Sequence, residues 1–301
     1  MILLFSKIRV NLSVYPPHLL NYVNMIDLLK NHYLCNIKYA DMELTEKLKE
    51  FLISEAERIN TPDFITDDPV SFPHRFSDKR DMEIAGFFVA HIAWGNRKII
   101  MRSAEKLLAL MYNEPYRYVA DGDFSNIDPT MNVHRTCFGE HLIYMLNGFR
   151  EIYEKYGSLD DFCRSTGASA SGFPAWELAW QMRLALCKAN GNRICSRTIP
   201  LNLDSSALKR INMWLRWMVR DDGIVDLGIW ESLRPSQLFI PLDVHVSKVS
   251  RELGLLTRKA NDRGAAVALT EVLRTVIPED PVKLDFALFG IGMEKKQGKN
   301  L

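Results

Sequence analysis

Helical periodicity runs through almost all of the chain after Met42, and it constrains the fold more than any other property of the sequence. In the first such segment, Leu44, Leu48, Phe51 and Leu52 recur at spacings of three and four and fall on one helical face. The alternation of apolar and polar residues that is typical of half-buried strands is nearly absent. The sequence therefore predicts an all-α fold.

The same pattern predicts eight further helices along the chain. They cover Asp81–Trp94, Lys98–Tyr112, His141–Tyr156, Trp176–Lys188, Ser206–Val219, Val244–Leu253, Asp262–Val276 and Pro281–Phe289. We expect one domain over residues 42–301, divided into a middle helical lobe, residues 98–205, and a second lobe built from residues 42–97 and 206–301.

Residues 1–41 have a different character. The apolar start is interrupted early by Lys7, so it is too short for a secretory signal peptide, and Pro16 and Pro17 break the segment that follows. We expect an N-terminal extension outside the native fold, with translation beginning at Met42.

Charge and apolar content narrow the functional classes. The 301 residues are 47% hydrophobic and 25% charged, with a formal net charge of +1, which is the balance of an ordinary globular protein. Bulk charge thus gives no argument for a nucleic-acid partner, and DNA binding would need a local basic surface. No apolar run approaches the roughly 18–20 residues that span a bilayer, so we expect no membrane partner.

The five cysteines are scattered and form no C-x-x-C pair. This usage indicates reduced thiols and predicts a cytoplasmic protein. No zinc or iron–sulfur ligand set can be assembled from them, so we expect neither a metal nor a cofactor. We also expect a monomer.

The most informative segment is Ile240–Leu255. Asp243 stands at an N-cap position, and Gly254 follows as the stop of the helix. Val246, Val249 and Leu253 form a stripe suited to burial. From spacing alone, helix capping is the favoured role of Asp243, ahead of catalysis.

This segment resembles the strand-to-helix element of the helix-hairpin-helix base-excision DNA glycosylases, which carries a V-D-T-H-V-x-R-V-x-x-R-L-G-L pattern. The matching positions are Asp243, His245, Val246, Val249, Arg251, Leu253, Gly254 and Leu255, and Lys248 replaces the first arginine of the pattern. The resemblance extends over about residues 80–292 but is strong only at 240–255. It implies a two-lobed glycosylase-like fold, an essential Asp243, and DNA contacts by His245 and Lys248.

The family's second essential residue is a lysine at the start of the preceding helix, and the candidate here is Lys209. It lies 34 residues before Asp243, a spacing similar to that of the archaeal 8-oxoguanine glycosylases, which also read I-P-L-D at the aspartate. An unaided lysine in the first turn of a helix is usually a solvated surface residue, so that alternative stays open.

The resemblance implies a bifunctional glycosylase and AP lyase acting on double-stranded DNA with a damaged base, and the expected substrate is an oxidised purine such as 8-oxoguanine. Lys209 would attack C1′ of the sugar, and Asp243 would stabilise the positive charge that develops there. Two alternatives remain: a monofunctional glycosylase for alkylated or deaminated bases, and a non-catalytic helical module that binds DNA or protein.

Two loops carry the remaining expected DNA contacts. Trp94-Gly95-Asn96-Arg97 replaces an S-x-Q-T motif whose polar residue fills the gap left by the extruded base, so Asn96 or Arg97 would take that place. An ordinary helix end at Gly95 is an equally good interpretation. The family's glycine-rich hairpin corresponds here to Leu201-Asn-Leu-Asp-Ser-Ser, which has no glycine. The amides of Ser205 and Ser206, at a helix N-terminus, would bind a phosphate instead.

A basic stretch surrounds the candidate lysine. Between Arg193 and Arg220, six basic residues stand against one acidic residue, Asp204, which suits a phosphate backbone and includes Arg210 as a DNA contact. A solvated basic helix face explains the stretch equally well. Trp214 and Trp217 lie in the same segment, and core packing is favoured for them over stacking on a flipped base.

Overall fold

The computed structural model describes residues 2–5, 8–11 and 44–296, and this part of the chain is mainly helical. The all-α prediction is confirmed at this level. After the β1–β2 strand pair, the α-helices are α1 (Glu46–Ile59), α2 (Pro62–Thr66), α3 (Lys79–Ile92), α4 (Arg97–Leu110), α5 (Pro115–Asp121), α6 (Gly139–Tyr156), α7 (Leu159–Ser165), α8 (Pro174–Ala189), α9 (Lys209–Val219), α10 (Val244–Glu252), α11 (Arg263–Arg274) and α12 (Asp285–Lys296).

The remaining described elements are short. Six 3₁₀ turns lie at Pro69–Ser71, Pro73–Arg75, Phe124–Asn126, Ala168–Ala170, Pro235–Gln237 and Pro281–Leu284. Strands β3 (Asn132–His134) and β4 (Cys137–Phe138) form an antiparallel pair just before α6. The sequence predicted neither this strand pair nor the seven-residue helices α5 and α7, because elements this short carry too little periodicity.

The N-terminal unit, residues 1–42, is described only as two strands, β1 (Ile2–Phe5) and β2 (Ile8–Asn11), which pair antiparallel with Leu3 opposite Val10. The rest of the predicted extension lies outside the described residues. Residues 43–301 form the second compact unit.

Helix α3 is the central element of the larger unit. Every residue from Glu83 to Ile92 is buried, so the helix is surrounded by other elements on all sides. It packs closely on α9, because a Cβ atom at Gly86 would lie 2.8 Å from Met218 Cε and 3.3 Å from Trp214 Cδ1. Trp214 and Trp217 are fully buried, which confirms that they belong to the core.

Two groups of helices flank this centre. Helices α5, α7 and α8 pack against α6, whereas α1 and α10 pack against α12. Glycine permits the close contacts: a Cβ atom at Gly148 of α6 would lie 2.9 Å from Leu186 Cα of α8, and one at Gly292 of α12 would lie 3.2 Å from His245 Cβ. The two predicted lobes correspond only broadly to these groups, and the bounds of the lobes stay a prediction.

Side-chain caps set where several helices begin. Asp78 accepts a hydrogen bond from the Arg80 amide at the start of α3, and Asp262 does the same for Ala265 at the start of α11. Such caps satisfy amides that have no partner within the helix and typically stabilise it by about 1 kcal/mol. Among the described residues, no helix is both long and apolar enough to cross a membrane.

We expect Gly148→Ala to lower the free energy of unfolding by about 1–3 kcal/mol, because the added methyl group would push α6 away from the backbone of α8. Urea unfolding followed by circular dichroism measures this change. Gly172→Ala is the matched control, since a Cβ atom there meets nothing within 4 Å. Equal stability of the two variants would contradict the proposed close packing.

Candidate functional site

The candidate site begins where the chain turns into α9. Lys209 is the first residue of this helix, which was predicted to begin at Ser206, so Ser205 and Ser206 precede the helix and do not form its first turn. Leu208 instead takes the cap position in a left-handed conformation with φ +48°. The Ser206 hydroxyl accepts a hydrogen bond from the Leu208 amide at 3.2 Å, and this bond holds the turn. The predicted helix N-terminus at Ser205 and Ser206 is therefore wrong, and DNA contact by these two serines stays a prediction.

A cavity of about 310 Å³ opens beside this turn. Lys209 and Arg210 line it together with both serines, which brings four of the predicted site residues to one place. Its other lining residues are Phe87, His91, Thr198, Pro200, Ala207, Leu208, Ile211, Leu242 and Asn261.

The Lys209 amine is half-buried and has only a weak local partner. Its Nζ lies 3.1 Å from the thioether sulfur of Met213, one turn further along α9, and it makes no ion pair within 4 Å in the described part of the chain. Burial lowers the pKa of Lys209, and the negative charge of Asp243 is the strongest effect in the opposite direction. A lowered pKa increases the fraction of neutral, nucleophilic amine near pH 7.

Asp243 is the N-cap of α10, and its side chain has a fixed orientation. Its Oδ1 accepts hydrogen bonds from the amides of His245 and Val246, both at 2.8 Å. Among the described residues, Oδ2 accepts none. The capping role expected from spacing is thus confirmed, and it leaves one carboxylate oxygen available for a ligand.

Two more carboxylates act on the Lys209 amine from other parts of the chain. Asp68 is buried, with Oδ1 accepting a hydrogen bond from the Val70 amide and Oδ2 lying 3.3 Å from Arg97 Nη2. The charges of Asp68 and Asp285 both raise the pKa of Lys209, although less than Asp243 does.

Asp285 is the first residue of α12 and pairs with the middle of α9. Its Oδ2 lies 2.5 Å from Arg216 Nη1, whereas its Oδ1 is buried without a hydrogen-bond partner in the described structure. Burial raises the pKa of Asp285 to about 6, and the positive charge of Arg216 acts against that rise.

Two of the six basic residues around Lys209 are internal, so the predicted role of this stretch as a DNA-binding stripe is wrong for these two arginines. Arg216 and Arg220 are 4% and 1% exposed, and both bind the buried carboxylate of Asp226. Arg220 Nη2 also pairs with Asp222 at 3.0 Å and with Asp280 at 2.9 Å.

Asn96 and Arg97, the two residues expected to fill the gap left by an extruded base, both have partners within the protein. The Asn96 side chain accepts a hydrogen bond from the Ile99 amide at 3.3 Å and thereby caps α4. Arg97 pairs with Asp68, as described above. The conformation at Gly95, with φ +105°, fits the helix-end interpretation of this loop.

The remaining predicted DNA contacts lie on or near α10. Lys248 is exposed, and its Nζ lies 3.9 Å from Glu252 Oε1 on the same helix. His245 is half-buried and packs against Gly292.

Asp204, the acidic residue just before Ser205 and Ser206, does not cap α9. It pairs with Arg263 at 2.8 Å.

No group of three or more histidine, cysteine, aspartate or glutamate side chains in the described residues is arranged to hold a metal ion. The site therefore has to be interpreted from its amine, its carboxylates and its cavity.

A family model, described as a protein of unknown function (DUF2400), matches residues 68–294, which is well over half of the chain. The chain is a member of the DUF2400 family. Neither a curated protein nor a solved structure gives a significant match. The matched region of this DUF2400 protein contains Asp68, Lys209, Asp243 and Asp285, and it excludes the N-terminal unit.

Sequence reasoning missed three members of the site in this DUF2400 protein: Asp68, His91 and Asp285. Asp68 lies in a proline-rich loop and Asp285 at a helix start, where an aspartate is usually explained by local capping. His91 lies within an apolar helix. Only the buried position of each side chain distinguishes it from an ordinary polar residue, and spacing along the sequence does not reveal that position.

We expect Asp285→Asn to change how the stability of the DUF2400 protein depends on pH. The pKa of Asp285 is about 6 in the folded chain, against about 3.9 when unfolded, so the folded state holds the proton more tightly between those values. Wild type should therefore lose unfolding free energy relative to the asparagine variant as pH rises from about 4 to 6. Above that window the difference should stay constant.

Urea unfolding at several pH values between 4 and 7.5 measures the difference between the two proteins. Asp67→Asn, at an exposed carboxylate, is the matched control and should show no such trend. A difference between wild type and Asp285→Asn that stays the same across the whole range would contradict the expectation.

Proposed function

We propose that this protein is a DNA base-excision glycosylase with an AP-lyase step, in which Lys209 is the nucleophile and Asp243 is the electrostatic partner. The observation that carries the proposal is the setting of Lys209. Its amine is half-buried beside a cavity, its pKa is lowered by burial, and its strongest opposing charge is Asp243, the aspartate of the glycosylase-like segment.

The chemistry follows from these two groups. The lone pair of the neutral Lys209 amine forms a bond to C1′, while the electron pair of the C1′–N bond leaves with the damaged base, which takes up a proton. Asp243 stabilises the positive charge that develops on the sugar, and its Oδ2 accepts a proton from the attacking nitrogen. The other oxygen stays bound to the α10 amides, so the carboxylate keeps its orientation during the reaction.

Strand cleavage would follow from the covalent intermediate. Opening of the sugar ring moves the C1′–O4′ electron pair onto O4′, which is protonated, and leaves a protonated Schiff base between C1′ and Lys209. Loss of a C2′ proton then expels the 3′ phosphate by β-elimination, and water releases the enzyme. In this proposal, Ser205, Ser206, Arg210, His245 and Lys248 contact the DNA, and the substrate is an oxidised purine such as 8-oxoguanine.

We expect borohydride to trap wild-type protein on a duplex that contains an abasic site, because the Schiff base is reduced to a stable amine. Lys209→Ala should abolish the adduct, since no other lysine is among the described residues that line the cavity. Asp243→Asn should slow trapping by about 100-fold or more. Denaturing gel electrophoresis measures adduct formation and strand nicking.

Lys106→Ala, at an exposed lysine on α4, is the control and should trap like wild type. Absence of any adduct and any nick with wild type would exclude the lyase step. Base release without trapping, abolished by Asp243→Asn, would indicate a monofunctional glycosylase. Duplex binding without reaction, unchanged by Asp243→Asn, would indicate a non-catalytic module.

A further inference from the structure

His91 occupies an unusual position in the wall of the cavity. It lies in the last turn of α3 and is 6% exposed, yet it lines the same cavity as Lys209. Its ring stacks on that of Phe87, with 6.1 Å between the centroids and 13° between the planes. This stacking fixes the plane of the imidazole and therefore the directions of its two ring nitrogens.

The ring nitrogens of His91 form no hydrogen bond within the described residues. The backbone carbonyl of His91 accepts a hydrogen bond from Arg210 Nη1 at 2.6 Å. A polar side chain in a protein interior normally pairs with a protein group, a water molecule or a ligand. The cavity is the place from which a partner can reach it.

The imidazole is neutral. Burial holds the pKa of His91 well below its usual value, and the positive charge of Arg210 lowers it further. A neutral imidazole has one N–H donor and one acceptor nitrogen. A ligand that pairs with both nitrogens is an uncharged ring whose edge also offers a donor and an acceptor.

The charge of the cavity wall also favours an uncharged ligand over a cationic one. Arg210 contributes a permanent cation, Lys209 contributes a second one only while its amine is protonated, and none of the described lining residues is acidic. Asp68, Asp243 and Asp285 act on the Lys209 amine but are not among the residues that line the cavity. A base that carries a positive charge would meet the Arg210 guanidinium there with no acidic group in the wall.

The size of the cavity suits one ring system. Its volume of about 310 Å³ is at the low end of the range of about 300–1,000 Å³ for small-molecule sites. Phe87 adds an apolar surface, and the hydroxyls of Thr198, Ser205 and Ser206 add polar groups around it.

We propose that His91 is a specificity-determining residue that hydrogen-bonds an uncharged heterocyclic base in this cavity, and that the positive charge of Arg210 excludes positively charged bases such as those alkylated on a ring nitrogen. This inference rests on the proposed function, and it adds a contact residue and a charge criterion that separates oxidised bases from cationic alkylated ones.

The first experiment compares two substrates in single-turnover reactions: a duplex with 8-oxoguanine, which places a base in the cavity, and the same duplex with an abasic site, which does not. His91→Phe keeps the ring but removes both nitrogens. The ratio of the rate on 8-oxoguanine to the rate on the abasic site should fall by about 10-fold or more. His91→Gln, which keeps a donor and an acceptor, should restore part of that ratio.

His134→Phe is the matched control, because His134 is buried but does not line the cavity, and the ratio should not change. An unchanged ratio in His91→Phe, or an equal fall in the phenylalanine and glutamine variants, would overturn the inference while leaving the lyase proposal intact. Absence of reaction with wild type on both substrates would instead count against the proposed function.

The second experiment does not depend on activity or on a folded variant. Wild-type protein labelled with ¹⁵N at histidine is titrated with free 8-oxoguanine and, separately, with the cationic nucleoside 7-methylguanosine. The His91 ring nitrogens should shift with the neutral base and stay unchanged with the cation. A shift with the cation of equal size, or no shift with the neutral base up to its solubility limit, would overturn the inference.

Discussion

The ion pair between Arg216 and Asp285 fixes α9 relative to α12, and the site depends on that placement. Arg216 lies two turns after Lys209 on α9 and also binds Asp226, so one buried guanidinium joins three segments. Removing both charges from water costs free energy. Such a pair is stable only when the charged atoms are close together and hydrogen bonds satisfy their other polar atoms. Loss of one partner would leave an uncompensated charge in the core, which typically costs about 3–5 kcal/mol.

Burial and nearby charges act in opposite directions on the pKa of Lys209. Burial favours the neutral amine, while Asp243, Asp285 and Asp68 favour the charged form, and none of the three forms a direct ion pair with it in the described structure. The net effect is a pKa of Lys209 below its usual value, because burial outweighs the three carboxylates. In the proposed reaction a lowered pKa favours the neutral amine that attacks the sugar.

Much of the helical fold could be predicted from the sequence, because long amphipathic segments such as α4 and α6 bury one face and repeat with a period of 3.6 residues. The starts of α10 and α11 were also predictable, since an aspartate precedes each. The start of α9 was not. Its N-cap is Leu208, a residue without a capping side chain, so the sequence placed the start three residues too early.

The site could be predicted only in part, for a related reason. Lys209 and Asp243 belong to recognisable segments, whereas Asp68, His91 and Asp285 come from distant parts of the chain and acquire their roles through burial. Arg216 and Arg220 illustrate the opposite error. They look like surface charge in the sequence, but acidic side chains far along the chain enclose them. Pairings at this separation are set by tertiary structure and leave no local pattern.

The left-handed backbone at Leu208 has a consequence for how this molecule can change. A leucine in that conformation costs about 1–2 kcal/mol that a glycine would not. The side chain is 4% exposed, however, so the same residue anchors the turn in the core while its backbone is strained. Replacement by glycine would relieve the strain and loosen the anchor together. The entry into α9 therefore cannot combine an unstrained backbone at position 208 with a leucine side chain anchored in the core.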